Sequence, residues 1–146
     1  EPSVHLAPWP TAPDVGTNGI TPEQWATFRS IRDVVMKALE EQRAKRVIGS
    51  PLESQVTLRV SDRALRELCA RHRETLAEAF VVSRIEVREA AGASPEVPGL
   101  VGVTVERAPG QKCARCWKYL STVGADAAHP QLCGRCVRVI TVKSVP

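Results

Sequence analysis

Four cysteines near the end of the chain occur as two closely spaced pairs. The pairs are Cys113-Ala-Arg-Cys116 and Cys133-Gly-Arg-Cys136, and sixteen residues separate them. This spacing is typical of a tetrahedral zinc site, in which each pair offers two thiolates to the metal. Two disulfides or four free thiols are the alternatives, and zinc is favoured because an intracellular chain keeps its thiols reduced. The sequence therefore predicts one structural Zn²⁺ with these four cysteines as ligands.

The cysteine-containing segment is too short and too polar to bury a core of its own. We therefore expect zinc to supply much of its folding free energy, on the order of 10 kcal/mol or more in small zinc modules. The chain of 146 residues, 43% of them hydrophobic, can hold one modest core beside this module. No stretch resembles a membrane span or a secretory signal, which predicts a cytoplasmic protein without a membrane partner. Its first residues, Glu1-Pro2-Ser3, resemble the interior of a longer polypeptide.

Positive charge is concentrated around the cysteines. The formal net charge is +4, but from residue 107 onwards seven basic residues accompany one acidic residue, Asp126. Four thiolates on Zn²⁺ leave a charge of about −2, which balances only part of this excess. A basic finger on a near-neutral body is typical of a nucleic-acid contact, and a solvated basic face is the alternative.

Hydrophobic periodicity predicts an α+β fold. Thr21-Pro22-Glu23-Gln24 has the pattern of a capped helix start, and the long helix that follows is expected to end near Arg46. Trp25 lies on the apolar face of this helix and is expected in the core. A second helix is expected after Ser61-Asp62. Alternating apolar residues predict three strands that form one mixed sheet with helices on a face, at 56–60, 80–88 and 100–106.

These elements divide the chain into three predicted units. A Pro- and Gly-rich connector over residues 7–20 leads into the long helix. The units are residues 1–50 with the connector and helix, 51–108 as a small α+β domain with a three-stranded sheet and a second helix, and 109–146 as a zinc finger with four cysteine ligands.

No catalytic constellation stands out elsewhere in the chain. Cys69 and His72 lie three residues apart on an apolar helix face, so packing is favoured over metal binding for both. His129 lies between the cysteine pairs and could replace a thiolate, but all four cysteines are present. Trp117 follows Cys116 and stands beside basic residues, a pattern used to stack on unpaired bases and bind phosphates. The alternative for Trp117 is a packing role inside the finger, and one ring can serve both.

The finger sequence carries a family resemblance. Residues 111–119, QKCARCWKY, and residues 132–137, LCGRCV, closely resemble the C-terminal zinc finger of bacterial isoleucyl-tRNA synthetases. Upstream, residues 3–10, 25–49, 52–58 and 80–83 resemble the end of the anticodon-binding region of that family and the strands that follow it. The resemblance covers essentially the whole chain, and the finger is its most specific part.

The resemblance implies a non-catalytic part of an aminoacyl-tRNA ligase. The parent enzyme attaches isoleucine to tRNA(Ile) with ATP, but its HIGH and KMSKS signatures are absent from this chain. The chain alone is therefore not expected to aminoacylate tRNA, and residues 1–50 would contain the last helix of the anticodon-binding region. The implied partners are tRNA(Ile) and the rest of the synthetase, in a monomeric enzyme. The implied tRNA surface comprises Arg115, Trp117, Lys118 and Arg135.

Two other functions remain open from the sequence. A related finger occurs in formamidopyrimidine-DNA glycosylases, which act through an N-terminal proline amine, whereas Glu1 precedes Pro2 here. The helices and strands upstream do not match those enzymes. A stand-alone zinc-ribbon interaction module is the third possibility, for which a basic, aromatic finger gives little support.

Overall fold

The computed structural model describes residues 19–92 and 96–141, together with residues 3, 5, 8, 9 and 11. It has the predicted α+β architecture, with a long first helix, a three-stranded sheet and a C-terminal module that contains four clustered cysteines. Most of the predicted connector lies outside the described residues. The helices are α1 (Pro22–Ala44), α2 (Arg63–Arg71), α3 (Arg73–Ala79) and α4 (Gly134–Thr141), and the strands are β1 (Ser54–Val60), β2 (Arg84–Glu89), β3 (Leu100–Arg107), β4 (Gln111–Lys112) and β5 (Tyr119–Leu120).

Helix α1 begins with the cap that its sequence predicts. The Gln24 N–H donates to Thr21 Oγ1 at 3.3 Å, and the Thr21 N–H donates to Gln24 Oε1 at 2.9 Å. This capping box satisfies donors that the first helical turn leaves free. The helix ends in a Schellman turn, because Arg46 has a left-handed backbone with φ of 58° and the Val47 N–H reaches the Gln42 carbonyl. The buried face of α1 contains Phe28, Ile31, Val35 and Leu39.

Trp25 is less buried than the apolar pattern of α1 predicts. Its side chain is 38% exposed, and its ring meets the core through Phe28, edge to face at 5.9 Å between ring centroids. Trp25 lies in the first turn of α1, where the helix reaches the margin of the core. The expectation of a core tryptophan is therefore wrong, because Trp25 is exposed and touches the core only at its edge.

Strand β1 is the centre of a mixed sheet with the order β2-β1-β3. It pairs in parallel with β2 and antiparallel with β3, so that Val56 lies opposite both Ile85 and Val105. Val56 and Leu58 are fully buried, and Thr57 between them is only 8% exposed. Strand β1 is thus covered on both faces over this stretch, whereas its alternating sequence predicts a half-buried strand.

The predicted second helix is broken into α2 and α3. His72 lies between the two helices with φ of −103° and ψ of 20°, outside helical geometry. It is the C-cap residue of α2 and the N-cap residue of α3. Asp62 caps the start of α2 as expected, with its Oδ1 accepting the Leu65 N–H at 2.6 Å.

Residues 80–83 form a turn rather than the first half of the predicted strand. Val81 has a left-handed backbone with φ of 58°. Its N–H donates to the Glu78 carbonyl and the Val82 N–H donates to the Ala77 carbonyl, at 3.1 and 3.0 Å. These are the two hydrogen bonds of a Schellman turn that ends α3. The prediction of a strand from Phe80 is therefore wrong by four residues, and β2 begins at Arg84.

Two separate apolar clusters hold the described residues together. The larger cluster joins α1, the sheet, α2 and α3 through side chains such as Phe28, Leu58 and Phe80. The smaller one lies in the C-terminal module around Val123 and the cysteines. Among the described residues, no helix is long and apolar enough to cross a membrane.

Candidate metal centre

The first cysteine pair lies in the loop of a short hairpin. Strands β4 and β5 pair antiparallel, with Lys112 opposite Tyr119, and hold the two ends of the loop together. Inside the loop, the Trp117 N–H donates to the Cys113 carbonyl at 2.9 Å, and the Cys113 N–H donates to the Lys118 carbonyl at 3.0 Å. These bonds curl the backbone into a knuckle around the first two thiols.

The second pair lies at the start of α4. Cys133 immediately precedes the helix and Cys136 falls in its first turn. The Cys133 N–H donates to Cys113 Sγ at 3.3 Å, and the Ala114 N–H donates to the Gln131 carbonyl at 3.0 Å. The two knuckles are therefore hydrogen-bonded to each other directly.

The four thiols form a cluster with the dimensions of a zinc site. All four Sγ atoms lie within 4.8 Å of one another, and those of Cys116 and Cys133 are 3.8 Å apart. A tetrahedron with Zn–S bonds of about 2.3 Å has S···S edges of about 3.8 Å. A disulfide, by contrast, requires about 2.05 Å, and these cysteines are free. The donor set and its spacing fit Zn²⁺.

The cluster is closed to solvent on most sides. Cys113 and Cys133 are fully buried and Cys136 is 1% exposed, while Cys116 is half-buried. Four thiolates fill a tetrahedral coordination shell, which leaves no position for water or substrate. This arrangement suits a structural metal rather than a catalytic one.

Local environment separates the protonation behaviour of the thiols. Burial opposes ionisation of Cys113, but backbone N–H groups of Cys116, Cys133 and Arg115 outweigh it and lower the pKa of Cys113 to about 6. Burial raises the pKa of Cys116 to about 12 and also raises the pKa of Cys133. The fold alone thus stabilises one thiolate, and further thiolates are costly until a divalent cation neutralises them.

Arg115 faces the metal centre. Its Nη1 lies 3.8 Å from Cys136 Sγ, close enough for the guanidinium to offset the negative charge of a zinc-bound thiolate. Arg115 is therefore at least partly engaged by the cluster, in addition to any contact that it makes outside the chain.

Trp117 lies outside the small core of the finger. That core consists of Val123 and the cysteines, with Leu120 and Leu132 packed against it. Trp117 is 59% exposed and has a left-handed backbone with φ of 64°. The packing alternative for Trp117 is not favoured, since most of its ring faces solvent.

Lys112 is a neighbour of Trp117 that does not stand out in the sequence. Its Nζ lies over the Trp117 ring, 5.6 Å from the centroid, within the range of a cation–π contact. The proximity of the two side chains follows from the hairpin, because Lys112 of β4 pairs with Tyr119 of β5, two residues after Trp117. Without the hairpin, the two residues are five positions apart in the sequence.

The remaining candidates have different surroundings. Lys118 is half-buried beside Trp117. Arg135 lies on α4, with its Nη2 3.7 Å from Glu78 Oε1 of α3. His129 pairs with Asp126, its Nδ1 lying 3.2 Å from Oδ1, and is not part of the thiol cluster. Cys69 is fully buried in the larger core, as expected.

Comparison with known proteins identifies the finger. Residues 110–139 match the family described as the zinc finger found in FPG and IleRS. This match and the geometry of the thiol cluster together confirm the predicted cofactor, one structural Zn²⁺.

Similarity extends far beyond the finger. The chain is 40% identical to isoleucine–tRNA ligase 1 of Oceanobacillus iheyensis over 95% of its length, and 36% identical to the isoleucine–tRNA ligase of Kosmotoga olearia over 94%. It is 40% identical to the Thermotoga maritima isoleucine–tRNA ligase over 81%. The chain spans about 15% of the length of the first two relatives and 13% of the third. It therefore corresponds to the C-terminal part of isoleucyl-tRNA synthetases.

Proposed function

We propose that this chain is the non-catalytic, tRNA-binding C-terminal part of an isoleucyl-tRNA synthetase and helps to position the anticodon region of tRNA(Ile). The parent reaction is the ATP-dependent attachment of isoleucine to that tRNA, in a monomeric cytoplasmic enzyme. The partners of the chain are the tRNA and the rest of the synthetase. The observation that carries this proposal is the exposed Trp117 ring, flanked by Lys112 and Lys118 on a metal-braced knuckle.

An exposed indole on a rigid support is suited to stacking on an unpaired base. Trp117 is held by the hydrogen bond from its N–H to Cys113, which is one residue of the proposed ligand set Cys113, Cys116, Cys133 and Cys136. The backbone position of Trp117 is therefore fixed before RNA arrives. Stacking of a base on an aromatic ring contributes about 1–3 kcal/mol.

The surrounding charge favours the phosphate backbone. Among residues 109–141, five basic side chains accompany one acidic side chain, an excess that remains positive when the charge of about −2 on the metal centre is included. Lys118 has no ion-pair partner among the described residues, while Arg115 and Arg135 each have one contact of their own. We therefore assign Lys118 and Lys112 to phosphates first, and Arg115 and Arg135 to supporting contacts.

The other two functions receive less support. The finger family is also named for FPG, but its match covers only residues 110–139. Isoleucine–tRNA ligases instead match 95% of the chain, including the helices and the sheet. A DNA glycosylase segment and a stand-alone zinc-ribbon module leave this upstream similarity unexplained.

Replacement of two tryptophans tests the proposal. Trp117→Ala should weaken binding of tRNA(Ile) by about tenfold, as expected for the loss of one stacking contact. Trp25→Ala is the comparison variant: Trp25 is also partly exposed but lies on α1, in the predicted anticodon-binding unit, so a larger loss for Trp117→Ala assigns the stacking contact to the finger. Affinities are measured by fluorescence anisotropy, with zinc content checked in both variants.

The charge assignment is tested in the same titrations. Lys118→Ala should weaken binding and reduce the slope of log affinity against log salt concentration by about one. Equal affinities of the Trp117→Ala, Lys118→Ala and unmodified proteins would contradict the proposed RNA surface.

A further inference from the structure

The finger is joined to the sheet through one buried hydroxyl group. Ser83 lies between the turn that ends α3 and strand β2, and only 6% of it is exposed. The Tyr119 N–H donates to Ser83 Oγ at 2.7 Å, and the Ser83 O–H donates to the Leu52 carbonyl at 2.5 Å. The Ser83 N–H donates to the Ser54 carbonyl at 3.1 Å. Ser83 thus links its own segment to residues 52–54 and to the finger, through its hydroxyl and its backbone N–H.

The residue that Ser83 holds is next to the proposed RNA surface. Tyr119 is the first residue of β5 and directly follows Trp117 and Lys118. Because β5 pairs with β4, a bond to Tyr119 fixes the orientation of the whole hairpin and of the knuckle that it carries. A small rotation of β5 would therefore change the direction in which the indole points.

The covalent connection does not set this orientation by itself. The Ala108 N–H is bonded to the Glu53 carbonyl at 2.7 Å and belongs to the body. Gly110, two residues later, already belongs to the finger, where its backbone has φ of 97° and lies against Leu120 of β5. The chain therefore passes from body to finger within two residues. Such a short link limits distance but leaves rotation about its torsions.

The ion pair between finger and body is weak. Arg135 of α4 and Glu78 of α3 approach to 3.7 Å, but their side chains are 61% and 60% exposed. Exposed ion pairs of this kind contribute little, because water screens them and both side chains lose entropy. The bond between the Tyr119 N–H and Ser83 Oγ is partly buried, and loss of its acceptor would leave the Tyr119 N–H without this partner.

We propose that Ser83 is the positioning residue that sets the orientation of the zinc finger on the sheet and thereby presents Trp117 and Lys118 to RNA in one geometry. The effect on RNA binding rests on the function proposed above. The effect on orientation does not. Zinc coordination is separate from both, because Ser83 contacts no cysteine of the cluster among its hydrogen-bond partners.

A pair of serine variants isolates this role. Ser83→Ala removes the acceptor for Tyr119, whereas Ser54→Ala removes another buried hydroxyl of the same region. The Ser54 O–H donates to the Pro51 carbonyl at 2.6 Å and does not reach the finger. Each variant loses one hydrogen bond to a backbone carbonyl, and only Ser83→Ala also loses the contact with the finger.

Residual dipolar couplings of backbone amides measure the orientation in zinc-loaded protein. In the unmodified protein, the amides of the finger and of the sheet should fit one alignment tensor. In Ser83→Ala they should require two, while Ser54→Ala keeps one. Ser83→Ala should also bind tRNA(Ile) about three- to tenfold more weakly, as expected for the loss of one net hydrogen bond, with one zinc per chain retained.

The outcomes separate the two proposals. Two alignment tensors in the unmodified protein would overturn the inference without any variant. The inference can therefore be tested even if the Ser83→Ala protein folds poorly. A single tensor in a folded Ser83→Ala protein would overturn it as well. Absence of tRNA binding by the unmodified protein would instead contradict the proposed function and leave the orientation result standing.

Discussion

Three residues other than glycine have a left-handed backbone among the described residues, namely Arg46, Val81 and Trp117. For an L-amino acid this conformation costs about 1–2 kcal/mol, and β-branched residues are the least suited to it. Arg46 and Val81 occupy the positions where Schellman turns usually have glycine. Trp117 takes this conformation in the knuckle, beside the metal ligands, where the proposed function uses its ring.

Replacement of Val81 by glycine should stabilise the protein. Val81 is 53% exposed, so about half of its burial is lost, while the backbone cost at φ of 58° is relieved. The gain is reduced by this lost burial and by the greater freedom of glycine in the unfolded chain, which leaves about 0.5 kcal/mol or less. Urea unfolding of zinc-loaded protein measures the difference. Val81→Ala is the control, because alanine keeps the Cβ atom and should recover much less.

Some functional residues can be predicted from the sequence and others cannot. The cysteine ligand pattern is visible because its spacing reflects the chemistry of the metal directly. The exposure of Trp117 depends instead on which side chains fill the finger, and Val123 with Leu120 and Leu132 already fill it. The role of Ser83 depends on a contact with Tyr119, 36 residues away, which no local pattern encodes.

The hairpin of β4 and β5 is the element on which the metal centre is built, and Gly110 is its tightest point. A Cβ atom at Gly110 would overlap the backbone carbonyl group of Leu120, and the backbone at Gly110 has φ of 97°. No side chain can be accommodated without movement of one strand relative to the other. The hairpin therefore depends on glycine at this position.

Gly110→Ala should therefore destabilise the finger strongly, by about 2 kcal/mol or more, because strain and a backbone clash coincide. Gly102→Ala in β3 is the matched control, since it has no neighbour within 4 Å of the added atom. The stability of the finger is measured by competition for zinc with a chromophoric chelator. Equal zinc affinities of the two variants would contradict the close approach of the strands.

Acid should release zinc from the finger. Protons compete with the metal for thiolates, and even without metal the fold lowers the pKa of Cys113 to about 6, well below the ordinary range of a thiol. A group with a lowered pKa stabilises the folded state at higher pH and loses that contribution as the pH falls through its folded pKa. We therefore expect zinc to be retained at pH 7 and released progressively as the pH falls into the acid range, as measured by metal content after dialysis at a series of pH values. Release that increases with rising pH would contradict this sign.

Helices and strands are predictable where the signal is local. The capping box of α1 is contained in four consecutive residues, and the structure has it. The break at His72 and the turn at residues 80–83 were not predicted, because periodicity continues through both and packing against the sheet decides where a helix ends. The sequence FVVS has the composition of a strand, yet only its neighbours show that it closes a helix.

At the scale of the whole molecule, the chain combines two cores with different origins. The body buries a conventional apolar cluster that spans α1 and the sheet. The finger has only a few apolar side chains around its cysteines, so its folding depends on zinc. The division into units at residues 50 and 108 stays a prediction, because packing alone does not define which parts fold independently.

This dependence links metal to function. If the finger carries the RNA surface, removal of zinc should weaken tRNA binding while the body remains folded. The body should stay folded without zinc, since its helices and its sheet do not contain the metal ligands. Far-ultraviolet circular dichroism of the chelator-treated protein establishes that the body is intact.

The most direct test is a binding titration of this chain against tRNA(Ile), in zinc-loaded form and after removal of zinc with a chelator. The zinc-loaded protein should bind saturably, and affinity should fall by about tenfold or more without the metal, because the stacking and phosphate contacts then lose their support. Restoration of zinc should restore the affinity. Equal binding in both forms, or no binding by the zinc-loaded protein, would contradict a zinc-dependent RNA surface on the finger.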